Sequence, residues 1–311
     1  MYITNSIIIY VFLFLNIILI DLYYLCIKIK KDNIKIPLDK FETNIYEEIR
    51  SRLSSTKKCS LMWKNQKEFL NGVIRKFRPK KILEIGVKYG GSSIIILNAI
   101  KDIPNSKLFS IDLDDMKHVG KCVFGYFQEF TNRWKLYQGN IAAKYMEEIG
   151  NNIDLVVIDS AHFEPGEILD VLMVLPFLKE EAILIFHDIG NQITDGLSSL
   201  EKGGRKEWAP YIIFNLLRGE KFLPSGKRIL TNNIGAVKLE KNQYRFIHDY
   251  FRALGGQWAY FPKEKYIKLL REFFKKYYDE YSMIMFEETV KFNRLFVKKF
   301  PSYTFYTKNS D

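Results

Sequence analysis

The 311-residue chain is short of the residues that staple or metallate small domains. It has three cysteines, Cys26, Cys59 and Cys122, with no C-x-x-C between them, and only four histidines. No disulfide framework or zinc knuckle is visible, which predicts a reducing compartment. There is no G-K-[ST], hence no P-loop, and no G-x-G-x-x-G, hence no dinucleotide fingerprint. A Y-x-x-x-K at the expected sheet position is also missing, which together with the glycine spacing disfavours a nicotinamide-linked oxidoreductase. No internal repeat or low-complexity tract occurs.

What is abundant is basic charge and aliphatic sequence. The formal charge is +11. It is unevenly spread: residues 30–81 carry 15 Lys/Arg against 6 Asp/Glu (+9), residues 241–311 carry 14 against 8 (+6), and residues 82–240 carry 17 against 21 (−4). The basic flanks suit an anionic surface, of a membrane or a nucleic acid, better than they suit the middle of the chain. Ile7 to Ile27 is almost wholly apolar, and its 21 residues match a bilayer core of about 30 Å. Lys28, Lys30 and Lys31 follow it, so by the positive-inside rule the chain is expected to be a single-pass membrane protein with its catalytic part cytoplasmic.

Four regions follow from these shifts: a membrane anchor over 1–31, a helical cover over 32–79, an α/β domain over 80–240 and a basic, aromatic-rich helical appendage over 241–311. In the cover, Phe41, Ile45, Ile49 and Leu53 recur every four residues, and Ser60 is a candidate N-cap for a second helix ending before Pro79. In the α/β region, apolar strands are expected at 81–86, 107–112, 134–138, 153–158 and 181–186, with a pair near 227–230 and 234–239. Helices are expected at 91–101, 116–131, 141–149, 165–178 and 205–218. Such alternation predicts a mostly parallel sheet with helices on both faces. Its ligand crevice lies at the carboxyl ends of the strands. In the appendage, Tyr266, Leu269, Leu270, Phe273, Tyr277 and Tyr281 form a helical stripe, with Lys265, Lys268, Arg271, Lys275 and Lys276 between them.

The stretch Lys81 to Ser93, KILEIGVKYGGSS, is a strand, a tight glycine turn and a helix start. Glycine allows positive φ and close approach of a ligand. The free N–H groups of the helix start face the turn. Glu84 in the strand disfavours a pyrophosphate guest and suits an ammonium. The pattern E-x-G-x-x-x-G resembles motif I of class I S-adenosylmethionine (SAM)-dependent methyltransferases. The resemblance implies a Rossmann-like fold with a mostly parallel seven-stranded sheet. It also implies that the acid and the glycines hold the methionine half of SAM.

The remaining strand ends extend this reading. Asp112 ends the second strand, where an acid can accept both ribose hydroxyls of a nucleoside. Tyr137 to Asn140 end the third, where polar groups could meet an adenine edge. The fourth ends in Asp159-Ser160-Ala161-His162 and the fifth in His187-Asp188. Two carboxylates with imidazole suit a hard divalent cation, Mg²⁺ first, with Mn²⁺ or Fe²⁺ as alternatives. The run Asp159-x-x-His162-(x)7-Asp170, followed by VLPFLKEEAILIFHD to Asp188, resembles the metal-dependent sugar O-methyltransferases of the macrocin type and the cephalosporin-hydroxylase-like group. This resemblance covers about residues 80–240. It implies Asp159, His187 and Asp188 as metal ligands and His162 as general base. Family members often carry an acid where His187 stands, a Gly where Ser160 stands and a Ser/Thr-Tyr pair where Phe163-Glu164 stand.

The candidate cofactor contacts are therefore Glu84, Gly86, Gly90, Ser92, Asp112 and Asp159. The expected function is methylation of a hydroxyl on a sugar, glycolipid or related small acceptor, with SAM as donor. A nucleic-acid methyltransferase is disfavoured, because there is no D/N-P-P-[YFW] tetrad and no Pro-Cys dipeptide. The competing reading is a non-catalytic SAM-binding or membrane-associated scaffold. The membrane is expected as a partner through the N-terminal segment, no specific nucleic acid is expected, and an oligomer is compatible with the sequence.

Overall fold

A computed structural model of the chain describes residues 39–43, 46–55, 59–190, 208–225 and 232–300. Its frame is one seven-stranded sheet of order β3-β2-β1-β4-β5-β7-β6. The strands are β1 (Lys81–Ile85), β2 (Lys107–Asp112), β3 (Trp134–Gln138), β4 (Ile153–Ile158), β5 (Leu178–His187), β6 (Gly219–Phe222) and β7 (Ile234–Leu239). The first five pair in parallel, and β7 runs antiparallel to both β5 and β6. The sheet is therefore the one implied by the resemblance. The antiparallel last strand follows from the short connection before it, which has no room for a crossover helix.

The inner strands are covered on both faces, which is why they read as unbroken Ile/Val/Leu runs. Alternation divides their side chains. Leu83, Ile85, Val156 and Ile158 enter one core, while Ile82, Leu155 and Val157 enter the other. The second core holds α3 (Lys64–Phe77) and α4 (Gly91–Ala99). The first holds α7 (Gly166–Val174) and reaches the C-terminal helices α9 (Ile247–Ala253), α10 (Glu264–Tyr277) and α11 (Glu280–Lys299). The shorter helices α1 (Asp39–Glu42), α2 (Tyr46–Ser55), α5 (Lys121–Tyr126), α6 (Met146–Ile149) and α8 (Ala209–Leu216) complete the order.

Several expectations are corrected. The helix expected over 116–131 is broken. Gly120 has φ 69°, and a Cβ there would lie 2.5 Å from Trp134, so the chain turns before α5 and then tightens into a 3₁₀ helix at Gln128–Arg133. Ser60 is not an N-cap. The helix begins at Lys64, and the Trp63 N–H donates to Gln66 Oε1 at 2.6 Å. The partner of β7 is Gly219–Phe222, and the expected strand at 227–230 lies outside the described residues. Tyr281 does not belong to the stripe of α10; it lies half-exposed on α11.

Cys59 and Cys122 form a disulfide, with Cα atoms 5.8 Å apart across 63 positions of sequence. The expectation of unpaired cysteines in a reducing compartment loses its basis here. The pairing is invisible in the sequence because the cover must first fold over α4 to bring the two together. The single-pass membrane location is also corrected. Among the described residues no helix is long and apolar enough to cross a membrane. The longest, α11, has 20 residues but carries charges along its whole length. The apolar stretch 7–27 that suggested the location lies outside the described residues.

Candidate active site

The carboxyl ends of β1, β2, β4 and β5 open into a cavity of about 1480 Å³. Single-ligand pockets commonly measure about 300–1,000 Å³, so there is room here for two molecules side by side. Its floor is the glycine turn. Gly86 has φ 89°, and a Cβ on it would sit 1.8 Å from the Asp159 carbonyl oxygen. Only glycine lets the ends of β1 and β4 lie this close. Gly90, at φ 87°, caps α4, and a Cβ on Gly91 would meet the Cys59 carbonyl oxygen at 2.1 Å. The N-terminal cover is thus laid directly on the turn.

The predicted cofactor residues divide into two groups. Gly86, Ser92, Asp112 and Asp159 line the cavity; Glu84 and Gly90 do not. Glu84 is fully buried beneath the turn. Its carboxylate accepts from the hydroxyls of Ser92, Ser93 and Ser110, each at 2.6 Å. Burial raises its pKa to about 7 against the pull of those hydroxyls. It braces the start of α4 from below and presents no atom to a ligand. Asp112 is also partly structural. Its Oδ2 accepts from the Val87 and Lys88 N–H groups at 2.9 and 2.8 Å, and its Oδ1 accepts from the Asp114 N–H at 2.9 Å. The end of β2 thereby fixes the turn after β1. Asn140, two residues past β3, lines the cavity, while Tyr137, Gln138 and Gly139 do not.

At the ends of β4 and β5 the structure brings Asp159, His162, His187 and Asp188 together. His162 Nε2 lies 3.1 Å from Asp159 Oδ1 and 3.1 Å from Asp188 Oδ2. His187 Nδ1 lies 3.1 Å from Asp188 Oδ2 and 3.4 Å from Asp159 Oδ1, but neither of its ring nitrogens makes a well-aligned hydrogen bond. Burial opposes protonation of both imidazoles. The hydrogen bond to Asp159 and the two carboxylate charges outweigh it and raise His162 to about 9, while the same charges raise His187 to about 10. Burial likewise opposes ionisation of Asp159, yet the imidazoles hold its carboxyl well below the usual range. A closely spaced donor set for a cation is formed by Asp159, His162 and Asp188, whose ligand atoms lie within 4.8 Å of one another. His162 thus joins the aspartates in the position that sequence reasoning gave to His187. Two carboxylates and one imidazole fit a hard or borderline divalent ion, and the unsatisfied ring of His187 stands beside them.

Several residues at the site carried no sequence signal. Asn233, at the start of β7, donates from Nδ2 to Asp188 Oδ1 at 2.6 Å and accepts the Gly190 N–H on Oδ1 at 2.8 Å. This leaves Asp188 Oδ2 to face the imidazoles. His162 has φ 65°, and its N–H donates to Glu167 Oε1 at 2.5 Å. The Ser160 hydroxyl joins Glu167 to Asp170 and donates to the latter at 2.5 Å. Burial raises Glu167 to about 8 and Asp170 to about 7. The cavity wall is completed by Leu61, Met62 and Trp63 from the cover and by Tyr260, Phe261 and Lys263 ahead of α10. Ser160, His162 and Asp170 stand in the motif legible in the sequence; the parts of Glu167, Asn233 and the cavity wall depend on tertiary placement.

Residues 83–189 match the family described as "Methyltransferase domain". Solved structures with similar folds include an O-methyltransferase from Bacillus cereus in complex with SAH, at 14% identity over 68% of this chain and 97% of that one, TM-score 0.46. An O-methyltransferase from Streptomyces achromogenes involved in tomaymycin synthesis, in complex with SAM, is 14% identical over 69% and 96%, TM-score 0.45. A SAH-bound methyltransferase from Podospora anserina is 17% identical over 68% and 92%, TM-score 0.46. These identities are too low to carry a function across. No curated protein matches the chain in sequence.

Proposed function

We propose that residues 83–189, which match the family described as "Methyltransferase domain", form a SAM-dependent methyltransferase domain of class I, and that the chain methylates a hydroxyl group, on a sugar, glycolipid or related small acceptor, with assistance from a divalent cation. The observation that carries this reading is the meeting of Asp159, His162 and Asp188 at the edge of the same cavity that the glycine turn floors. SAM supplies an activated methyl group, so the protein's task is to align a hydroxyl oxygen with it and to take up the hydroxyl proton.

On this reading Gly86, Ser92 and Asp112 stand on the cofactor's side of the cavity. Asp159 borders both the cofactor and the acceptor. With the cation on Asp159 and Asp188 alone, His162 Nε2 stays free of it as the proton acceptor, oriented by Asp159 and seated by the Glu167 carboxyl group through its own N–H. Asn233 holds the Asp188 carboxylate so that one oxygen faces the acceptor. A cation held by Asp159 and Asp188 would orient a vicinal diol and lower its hydroxyl pKa. Its charge would also offset the carboxylates that otherwise keep His162 protonated. Trp63, Tyr260 and Phe261 offer aromatic faces to the apolar side of a sugar ring, and Lys88 and Lys263 suit an acceptor with negative charge.

The test joins calorimetric titration with SAM to a methyl-transfer assay over a panel of hydroxyl-bearing sugars, with Mg²⁺ or EDTA. The His162→Ala variant should keep wild-type SAM affinity and lose transfer by about 10²-fold or more. Loss of SAM binding together with transfer would remove His162 from the base role. SAM binding with no transfer to any acceptor would leave a scaffold as the better reading.

A further inference from the structure

Among the described residues the outer face of α11 is largely uncovered, apart from an edge contact between Tyr281 and the His248 ring. Tyr281, Ile284, Phe292 and Leu295 are 48–62% exposed. At 100° per residue they fall on one side of the helix, with Glu288 near the middle of the stripe, Lys291 on its border and Lys299 beyond its C-terminal end. From Tyr281 to Leu295 the stripe runs about 21 Å at 1.5 Å per residue. The opposite face of the same helix, with Ser282, Phe286, Thr289, Val290 and Asn293, is buried against the domain. Scattered exposed apolar residues need no explanation, but an ordered stripe of four large ones marks an interaction surface.

The charges on α11 say what covers it. Off the stripe, Glu287 pairs with Arg271, and Arg294 pairs with Glu264, both within the chain. On or beside the stripe, Glu280, Glu288 and Lys291 make no ion pair among the described residues. Acids occupy the first part of the helix and bases the last: Glu280, Glu287 and Glu288 come before Lys291, Arg294, Lys298 and Lys299. A helix polarised in this way is complementary to itself when reversed. We propose that α11 is a self-association surface, on which a second copy of this chain lays its own α11 antiparallel about a two-fold axis.

The register follows from the charges. An axis centred on Glu288 would set two like charges against each other, and a parallel arrangement would do so at both Glu288 and Lys291. An axis between positions 289 and 290 instead brings Glu288 level with Lys291 of the second copy and Ile284 level with Leu295. Two-fold symmetry makes each of these contacts twice. The helix dipoles also run in opposite directions in this arrangement, which is their favourable order. One helix pair is small beside the about 1,200–2,000 Å² of a standard interface, so association should be reversible and concentration-dependent.

Sedimentation velocity of the full chain over an about hundredfold concentration range tests the proposal, since a micromolar dimer shifts from monomer to dimer within it. Circular dichroism of each variant checks that it folds. Glu288→Lys and Lys291→Glu should each weaken dimerisation by about tenfold or more, and the two together should restore it, because the pair is then reversed and not broken. Leu295→Asp should leave only monomer. The proposal is overturned by a wild-type chain that stays monomeric throughout. A dimer indifferent to all three single substitutions overturns it too, as does a folded double charge reversal that remains as weak as either single one.

Discussion

Glu84 shows how one residue can belong to a site without touching what the site holds. Three serine hydroxyls converge on its carboxylate from α4 and β2, and all four groups are buried. Because its folded pKa is raised from 4.5 to about 7, the folded state holds the proton more tightly than the unfolded chain does. Stability from this group is therefore complete below about pH 4.5 and falls as pH rises to about 7, by about 3 kcal/mol in all. Urea unfolding at a series of pH values should record that fall in the wild type and a flatter profile in Glu84→Gln. Gly86 admits a sharper test. An alanine there takes a left-handed φ that costs about 1–2 kcal/mol, before any clash of its Cβ with the Asp159 carbonyl is counted. Gly86→Ala should lose more stability than that strain alone and lose SAM affinity with it, as read by melting and calorimetry. Both positions were legible as a motif, since E-x-G-x-x-x-G names the turn. What the motif could not convey was direction. Strand alternation turns Glu84 toward α4 and away from the cavity, and that follows only once the faces of β1 are assigned.

At the scale of elements, the strand ends delivered most of what could be read. All five parallel strands lead into residues that line the cavity, because a parallel sheet aligns its carboxyl edges whatever lies between them. The residues that hold this wall in place were not legible. Asn233 reaches Asp188 from a strand 45 positions later, and the Cys59–Cys122 disulfide pins the cover across the start of α4. Asn233→Ala should free the Asp188 carboxylate and weaken Mn²⁺ binding by about 10–100-fold, the usual cost of losing such a supporting contact. Water-proton relaxation would measure it, with SAM affinity as the control. The disulfide closes a long loop, and the loop-entropy estimate gives it about 4 kcal/mol. Alkylation of the denatured chain should add two more groups after reduction than before. The reduced protein should melt lower and bind SAM more weakly, since Cys59 to Gln66 form part of the cavity wall.

For the whole molecule, the question is where the folding unit ends. Composition changes at about residue 241, where basic and aromatic residues begin to dominate, and a boundary drawn there looks natural in sequence. The core does not stop at that point. Tyr250, Phe251, Trp258, Ile267, Leu270, Phe273 and Phe274 enter the same apolar cluster as α7 and the strand residues Val156 and Ile158. The Ala259 N–H donates to the Glu164 carbonyl at 3.0 Å, next to the turn that carries His162. Full burial of large apolar side chains is worth about 1.5–3 kcal/mol each. Seven of them amount to about 10–21 kcal/mol, as large as the about 5–15 kcal/mol by which whole domains are usually stable. A chain ending at residue 240 should therefore fail to fold, not yield a smaller methyltransferase domain. Leu270→Ala, which only opens a cavity in that shared core, should cost about 2–5 kcal/mol and leave a folded protein. A soluble, cooperatively melting 1–240 fragment that still binds SAM would mean that the C-terminal helices are an addition to the core and not part of it.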